Sequence, residues 1–296
     1  MKKRIFAMLL AGCMAASMVG CSGKGGGETA ASTTAAENTK AAETSLAKES
    51  TEASAEAAEE ASIETAQTTF TVGFDQDFPP MGFVGDDGEY TGFDLELAAE
   101  VAKRLGLEFV AQPIAWDSKD MELNSGNIDC IWNGFTINGR EDDYAWTAPY
   151  MENSQVFVVA ADSGITSWDD LAGKTVEVQV DSSAEAALKD NEKLTSTFGR
   201  LVTTPDYNTA FMDLEMGQVD AIAMDVIVAG YQIAQRDANF VILDEEISAE
   251  DYGIGFKLDN GEMRDKVQGA LEEMAADGTL KAISEKWFSK DVTIIG

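Results

Sequence analysis

Histidine is absent from the 296 residues of the chain. Without an imidazole there is no Ser-His-Asp or Cys-His relay and no histidine metal ligand. Cysteine is scarce, at positions 13, 21 and 130 only. Cys13 and Cys21 fall in the N-terminal segment, so the folded part holds Cys130 alone and no internal disulfide. Cys130 sits in the apolar run Ile128–Trp132 and reads as a buried, inert thiol. Basic residues are few, 21 Lys and Arg against 53 Asp and Glu, for a formal net charge of −32. That balance argues against nucleic acid as a partner, because phosphate binding needs clustered cations. A long apolar run is missing as well: Ile5–Gly20 is too short for a convincing membrane span. The expectation is no metal, no cofactor and no catalytic residue.

What the N-terminus does contain is a basic Met1–Arg4 followed by an apolar, small-residue stretch, the pattern of a secretory signal. Met18-Val19-Gly20-Cys21 resembles a bacterial lipobox, which implies lipidation of Cys21 after removal of residues 1–20. Leu10-Ala11-Gly12-Cys13 is a rival match with a shorter apolar core. Residues 21–67 are nearly all Gly, Ala, Ser, Thr, Glu and Lys. They cannot bury enough apolar surface to offset their ordering entropy, and a disordered tether is expected.

Order is expected from Thr68 onward, in a length that allows one large domain or two of ordinary size. Thr69–Phe74, Glu108–Pro113, Ile128–Asn133, Val156–Ala160, Thr175–Val180, Leu201–Thr203, Val219–Met224, Phe240–Leu243 and Tyr252–Lys257 read as strands. Between them lie helical patterns. One has Leu97, Ala98, Val101 and Leu105 on a single face, Asp94 as its N-cap and Gly106 as its stop. Alternating strands and helices predict an α/β fold with a parallel sheet.

In such sheets ligands gather at the carboxyl ends of strands. Asp75 and Phe78 follow the first strand and Asp225 ends a later one. Arg140 follows the turn Asn138-Gly139 in Trp132–Tyr150, and its planar fork of donors suits a carboxylate. Ser182 and Ser183 open a helix, where they cap it or help hold an anion on its free N–H groups.

Taken in order, these features carry a resemblance. Val72-Gly73-Phe74-Asp75 with Phe78-Pro79-Pro80, Gly92-Phe93-Asp94-Leu95-Glu96-Leu97 and Asn133-Gly134-Phe135-Thr136 come first. Arg140 six residues before Trp146, Val219-Asp220-Ala221 with Asp225, Tyr252-Gly253-Ile254-Gly255-Phe256 and Lys286-Trp287-Phe288 follow. From about Thr68 to Phe288 the chain resembles the family 3 solute-binding proteins of polar amino-acid ABC transporters. The resemblance implies a type II periplasmic-binding-protein-like fold, two α/β lobes joined by a two-segment hinge. Lobe 1 would be residues 68–150 plus 253–296, lobe 2 residues 155–248, and the hinges 151–154 and 249–252. It implies that Arg140 and Thr136 hold a ligand α-carboxylate, with Ser182 and Ser183 adding contacts, and that Asp225 holds the α-ammonium. Phe78 and Trp116 would flank the ligand and Asp75 and Gln179 would read its side chain. Gly134 fits a close backbone approach, and Asn133 either bonds the ligand or caps its strand.

The implied role is extracytoplasmic capture of a polar amino acid and delivery to a permease. The expected protein is a monomer, lipid-anchored at the outer face of the bacterial cell membrane. An amino-acid-sensing module for a membrane receptor and a dehydratase on the same scaffold are the alternatives.

Overall fold

The computed structural model describes residues 67–236 and 239–295. The expected signal, the lipidated Cys21 with its rival Cys13, and the tether lie outside the described residues, Gln67 excepted. None of the described helices is long and apolar enough to cross a membrane.

Strand β1 (Thr69–Phe74) buries Phe70, Val72 and Phe74 completely. The short strands β2 (Asp77–Phe78), β3 (Gly82–Val84) and β4 (Tyr90–Thr91) pair antiparallel as a small sheet of their own. Helix α1 (Phe93–Leu105) buries Leu97, Ala98, Val101 and Ala102, and Gly106 ends it at φ 70°. Glycine adopts that left-handed conformation without the Cβ penalty other residues meet. Strands β5 (Glu108–Pro113) and β6 (Cys130–Thr136) flank β1, both parallel to it, with α2 (Lys119–Ser125) between them in sequence. Then come β7 (Ala145–Trp146) and the long β8 (Met151–Ala160).

The second half contains β9 (Thr175–Gln179), α3 (Ser183–Asp190), α4 (Glu192–Thr195), β10 (Arg200–Thr204), α5 (Tyr207–Glu215), β11 (Ala221–Asp225) and α6 (Val226–Gln235). A 17-residue strand, β12 (Phe240–Phe256), returns to the first half, and α7 (Gly261–Asp277) and α8 (Thr279–Phe288) pack beside α1. The nine strands of the main sheet run β10-β9-β11-β8-β12-β6-β1-β5, with β7 against β12.

Pairing within each half is parallel, as expected for the first half from β1, β5 and β6 and for the second from β9, β10 and β11. The middle is not: β8 and β12 pair antiparallel with each other and with their neighbours. Two expected strands, Phe240–Leu243 and Tyr252–Lys257, are one strand with register shifts near Glu246. The segments expected as hinges face each other in this ladder, Asn153 opposite Glu250 and Met151 opposite Tyr252.

The N-cap of α1 also differs from expectation. Gly92 occupies the cap position, and Asp94 lies inside the first turn, fully buried. Its carboxylate turns into the core because two buried donors wait there, the Gly134 amide (2.6 Å) and the Tyr150 hydroxyl (2.9 Å). Cys130 is buried, and burial pushes its thiol well above the usual range.

Candidate ligand-binding site

The strand ends and the loops after them bring side chains from both halves to one place. Asp75, Phe78, Trp116, Asn133, Gly134, Thr136 and Arg140 come from the first half, and Gln179, Ser182, Ser183 and Asp225 from the second; together they line one space. These are the eleven residues expected at the site. The space is narrow, a cavity of about 10 Å³ with room for roughly one water.

Arg140 is carried by the turn after β6. Its guanidinium lies over the Phe135 ring, 5.3 Å from the centroid, and donates to two carbonyls, Thr136 (3.3 Å) and Asp181 (3.4 Å). The Trp146 indole donates to the Arg140 carbonyl at 2.9 Å and pins the backbone beneath it. Asn138 accepts from the Asp251 amide at 2.7 Å, so this turn is tied to β12.

The bulge in β6 explains Gly134. Phe135 pairs with Gly253 and Ile131 with Gly255, so Trp132–Gly134 face a single residue of β12. The Gly134 N–H has lost its ladder partner, and Asp94 takes it. Gly134 adopts φ 56°, and an added Cβ would stand 3.1 Å from Phe78 and Tyr252. Burial pushes the Asp94 carboxyl up to about 7, against the pull of its donors. Asn133 is also buried, and its oxygen accepts from the Asp75 amide while its Nδ2 has no partner among the described residues.

Asp75 accepts from the Asp77 amide on one oxygen and from Gln179 Nε2 (2.6 Å) on the other, a bond between the two halves. Burial pushes its carboxyl up to about 6, and nearby Asp77 and Asp206 add to the rise. Phe78 packs against Tyr207 across the same boundary. Ser182 caps α3 by accepting from the Glu185 amide, and Ser183 accepts from Gln155.

Asp225 holds the N-cap position of α6, yet its side chain makes no capping bond. It turns inward instead, where Oδ1 accepts from Asn153 (2.8 Å), Gln155 (2.8 Å) and the Tyr252 hydroxyl (2.5 Å). Burial drives its carboxyl well above the usual range, and the neighbouring Glu250 adds to this.

Two residues at the boundary were not among those expected at the site. Lys119, at the start of α2, is almost fully buried and pairs with the Asp181 carboxylate, lying 5.3 Å above the Trp116 ring. Asp181 adopts φ 58°, a left-handed conformation that aspartate tolerates better than most residues. It turns its carboxylate toward Lys119 and its carbonyl toward both Lys119 and Arg140.

Two lobes joined by two crossing strands, with a polar space at the strand ends between them, define the type II periplasmic-binding-protein class. The model of the bacterial extracellular solute-binding proteins, family 3, matches residues 70–290, and the chain belongs to that family. It is 35% identical over 228 residues to the L-cystine-binding protein TcyJ of Escherichia coli (strain K12), covering 76% of this chain and 84% of that one. A solved ABC uptake transporter substrate-binding protein from Streptococcus pneumoniae with bound histidine superposes with TM-score 0.74 at 33% identity, covering 76% of this chain and 94% of that one. An ancestral arginine-binding protein bound to arginine gives TM-score 0.70 at 38% identity, covering 75% and 99%. The family and these relatives are binding proteins rather than enzymes.

Proposed function

We propose that this chain captures a polar amino acid outside the cytoplasm and delivers it to an ABC permease, the lipid on Cys21 holding it at the membrane. The observation that carries this reading is the pairing of opposite charges across one space. Arg140 stands on one lobe and buried Asp225 on the other. A zwitterion satisfies both, the carboxylate on the Arg140 fork with Thr136, Ser182 and Ser183 nearby, the ammonium on Asp225. Phe78 and Trp116 wall the side chain, and Asp75, Gln179 and Asn133 are the polar groups available to read it. Admission requires the lobes to part, because the space in the described state holds only about one water. Bending at 151–154 and 249–252 would open it, and contacts made only in the closed state would draw it shut around the ligand.

Thermal shift against the twenty amino acids plus L-cystine tests this reading. Stabilisation follows RT ln(1 + [L]/Kd), so a specific ligand stands out; L-cystine and L-arginine are the first to try. No shift with any of them would refute it. Asp225→Asn tests the ammonium contact: it should cost an amino acid roughly 1.5–3 kcal/mol, the worth of a hydrogen bond to a charged group, and its α-deaminated analogue much less. An equal loss for both removes Asp225 from that role.

The Lys119–Asp181 pair bears on closure. Lys119 belongs to the first lobe, and Asp181, half exposed, to the second. Asp181→Asn leaves a buried ammonium without its counter-charge, at a cost of roughly 1–3 kcal/mol once the exposure of Asp181 is discounted. Parting the lobes rehydrates Lys119 and relieves that cost. The expected outcome is a larger radius of gyration by small-angle scattering with little change in melting temperature. An unchanged radius would show that the pair does not hold the lobes together.

A further inference from the structure

Every hydrogen-bond partner of the Asp225 side chain lies on the two strands that cross between the lobes. Asn153 and Gln155 are on β8, Tyr252 is on β12, and Glu250, buried on β12, stands against the same amides. Asn153 Nδ2 donates to Asp225 (2.8 Å) and to Glu250 (2.6 Å). Gln155 Nε2 donates to Asp225 (2.8 Å) and to Glu250 (2.7 Å). Two buried carboxyls therefore share two neutral amides.

Arg140 lines the same ligand space from the first half, but among the described residues no cation hydrogen-bonds to Asp225 or Glu250. On β12 stand Glu250 and Tyr252, with Tyr150 of the first lobe behind Tyr252; on α5 stands Tyr207. From α3 comes only the hydroxyl of Ser183, through Gln155. The charged group that acts on Asp225 is Glu250. Burial, and then the Glu250 carboxylate on the same two amides, both favour the protonated form of Asp225.

The two carboxyls also open to different sides. Asp225 lines the ligand space. Glu250 and Asn153 line a separate surface cleft of about 580 Å³ on the hinge, together with Glu152, Glu246 and Asp251. A proton leaving Asp225 through Glu250 has a way to water that a ligand in the site does not block.

We propose that Glu250 is a positioning residue for the ligand site: with Asp225 it holds one proton, and the ammonium of an arriving amino acid takes that proton's place. The O–H bond on Asp225 breaks, the proton passes by way of Glu250 to water in the outer cleft, and the Asp225 carboxylate left behind pairs with the ammonium. This rests on the amino-acid reading above, which assigns the ammonium to Asp225.

The sign follows from the exchange. Binding releases a proton wherever the ligand-free pair is protonated, so affinity weakens as pH falls, by up to about tenfold per pH unit. The burial of Asp225, with Glu250 beside it, places the onset above the ordinary carboxylate range.

Calorimetry with the full chain and L-cystine and L-arginine as probes, between about pH 5 and about pH 8, tests it. Buffers of differing ionisation enthalpy count the released protons. Up to one proton released at the acid end is expected, with Kd rising there. In Glu250→Gln the acid limb should move to lower pH, and the ratio of Kd between the two ends should shrink. A merely structural role for Glu250 would weaken binding at every pH alike and leave that ratio unchanged, which overturns the proposal. So does tight binding with a flat Kd and no proton release. If the probes do not bind, carboxyl ¹³C NMR of the ligand-free chain decides, with the Asp225 signal assigned from Asp225→Asn. A midpoint in the ordinary carboxylate range overturns the shared proton, whereas failure of all twenty amino acids and L-cystine to bind counts against the amino-acid reading alone.

Discussion

Replacing Arg140 with alanine is expected to cost roughly 3–5 kcal/mol of amino-acid binding, because the ligand's carboxylate then closes into the site without its partner. The present contacts of Arg140 show why it is free to serve. Its guanidinium donates to two carbonyls at 3.3 and 3.4 Å, longer than good charge-assisted bonds. A carboxylate that accepts two parallel bonds from the fork outcompetes both. One of those carbonyls belongs to Asp181 of the second half, and a bound carboxylate would replace that weak acceptor with a strong one. Arg140→Lys keeps the charge but loses the fork and should fall between wild type and alanine. Titration calorimetry reads all three. Near-normal affinity in the alanine variant would move the carboxylate site elsewhere.

Arg140 and Asp225 could be expected at this space from sequence because each is a charged residue at or after the end of an apolar strand, where a sheet presents its side chains. The parallel cores around β1 and β9 were equally open to reading, since short apolar runs between helical patterns have few other solutions. The crossing pair β8 and β12 was not. Their antiparallel pairing joins residues about a hundred apart, such as Asn153 and Glu250, and leaves no local pattern. Glu250 sits in the acidic stretch Asp244–Asp251, and no local pattern shows that its side chain is buried where β12 pairs with β8. Lys119 is hidden in the same way. Three residues after Trp116 it resembles any surface lysine, and it is the second lobe that covers it.

Asp94 departs from the expected cap for a different reason, and its replacement is where the fold and the site meet. An aspartate two residues after Gly92, before an apolar face, fits a helix cap on local chemistry. The core offers it more: a Gly134 amide stranded by the β6 bulge, and a Tyr150 hydroxyl with no water to turn to. Asp94→Ala strands both donors. At about 1–3 kcal/mol for each buried unsatisfied group, the loss should be about 2–6 kcal/mol, which for a domain of this size lowers the melting temperature by roughly 10 °C. Ligand binding should weaken as well, because Gly134 lines the site and Asp94 holds its bulge. Asp94→Asn separates charge from geometry, since one amide oxygen can still accept from both donors. The folded-state carboxyl titrates near 7 against an ordinary 3.8, so between those values the folded chain keeps a proton that the unfolded chain has lost. Stability attributable to Asp94 is therefore full below about pH 4 and falls as pH rises toward about 7, by at most about 1.4 kcal/mol per unit. Asp75, pushed up to about 6, adds a smaller decline of the same sign. Asp94→Asn should flatten this slope and leave the protein relatively more stable at neutral pH than wild type, read as denaturant midpoints across the range. A slope unchanged in Asp94→Asn would mean that Asp94 is ionised throughout and that its two donors outweigh its burial.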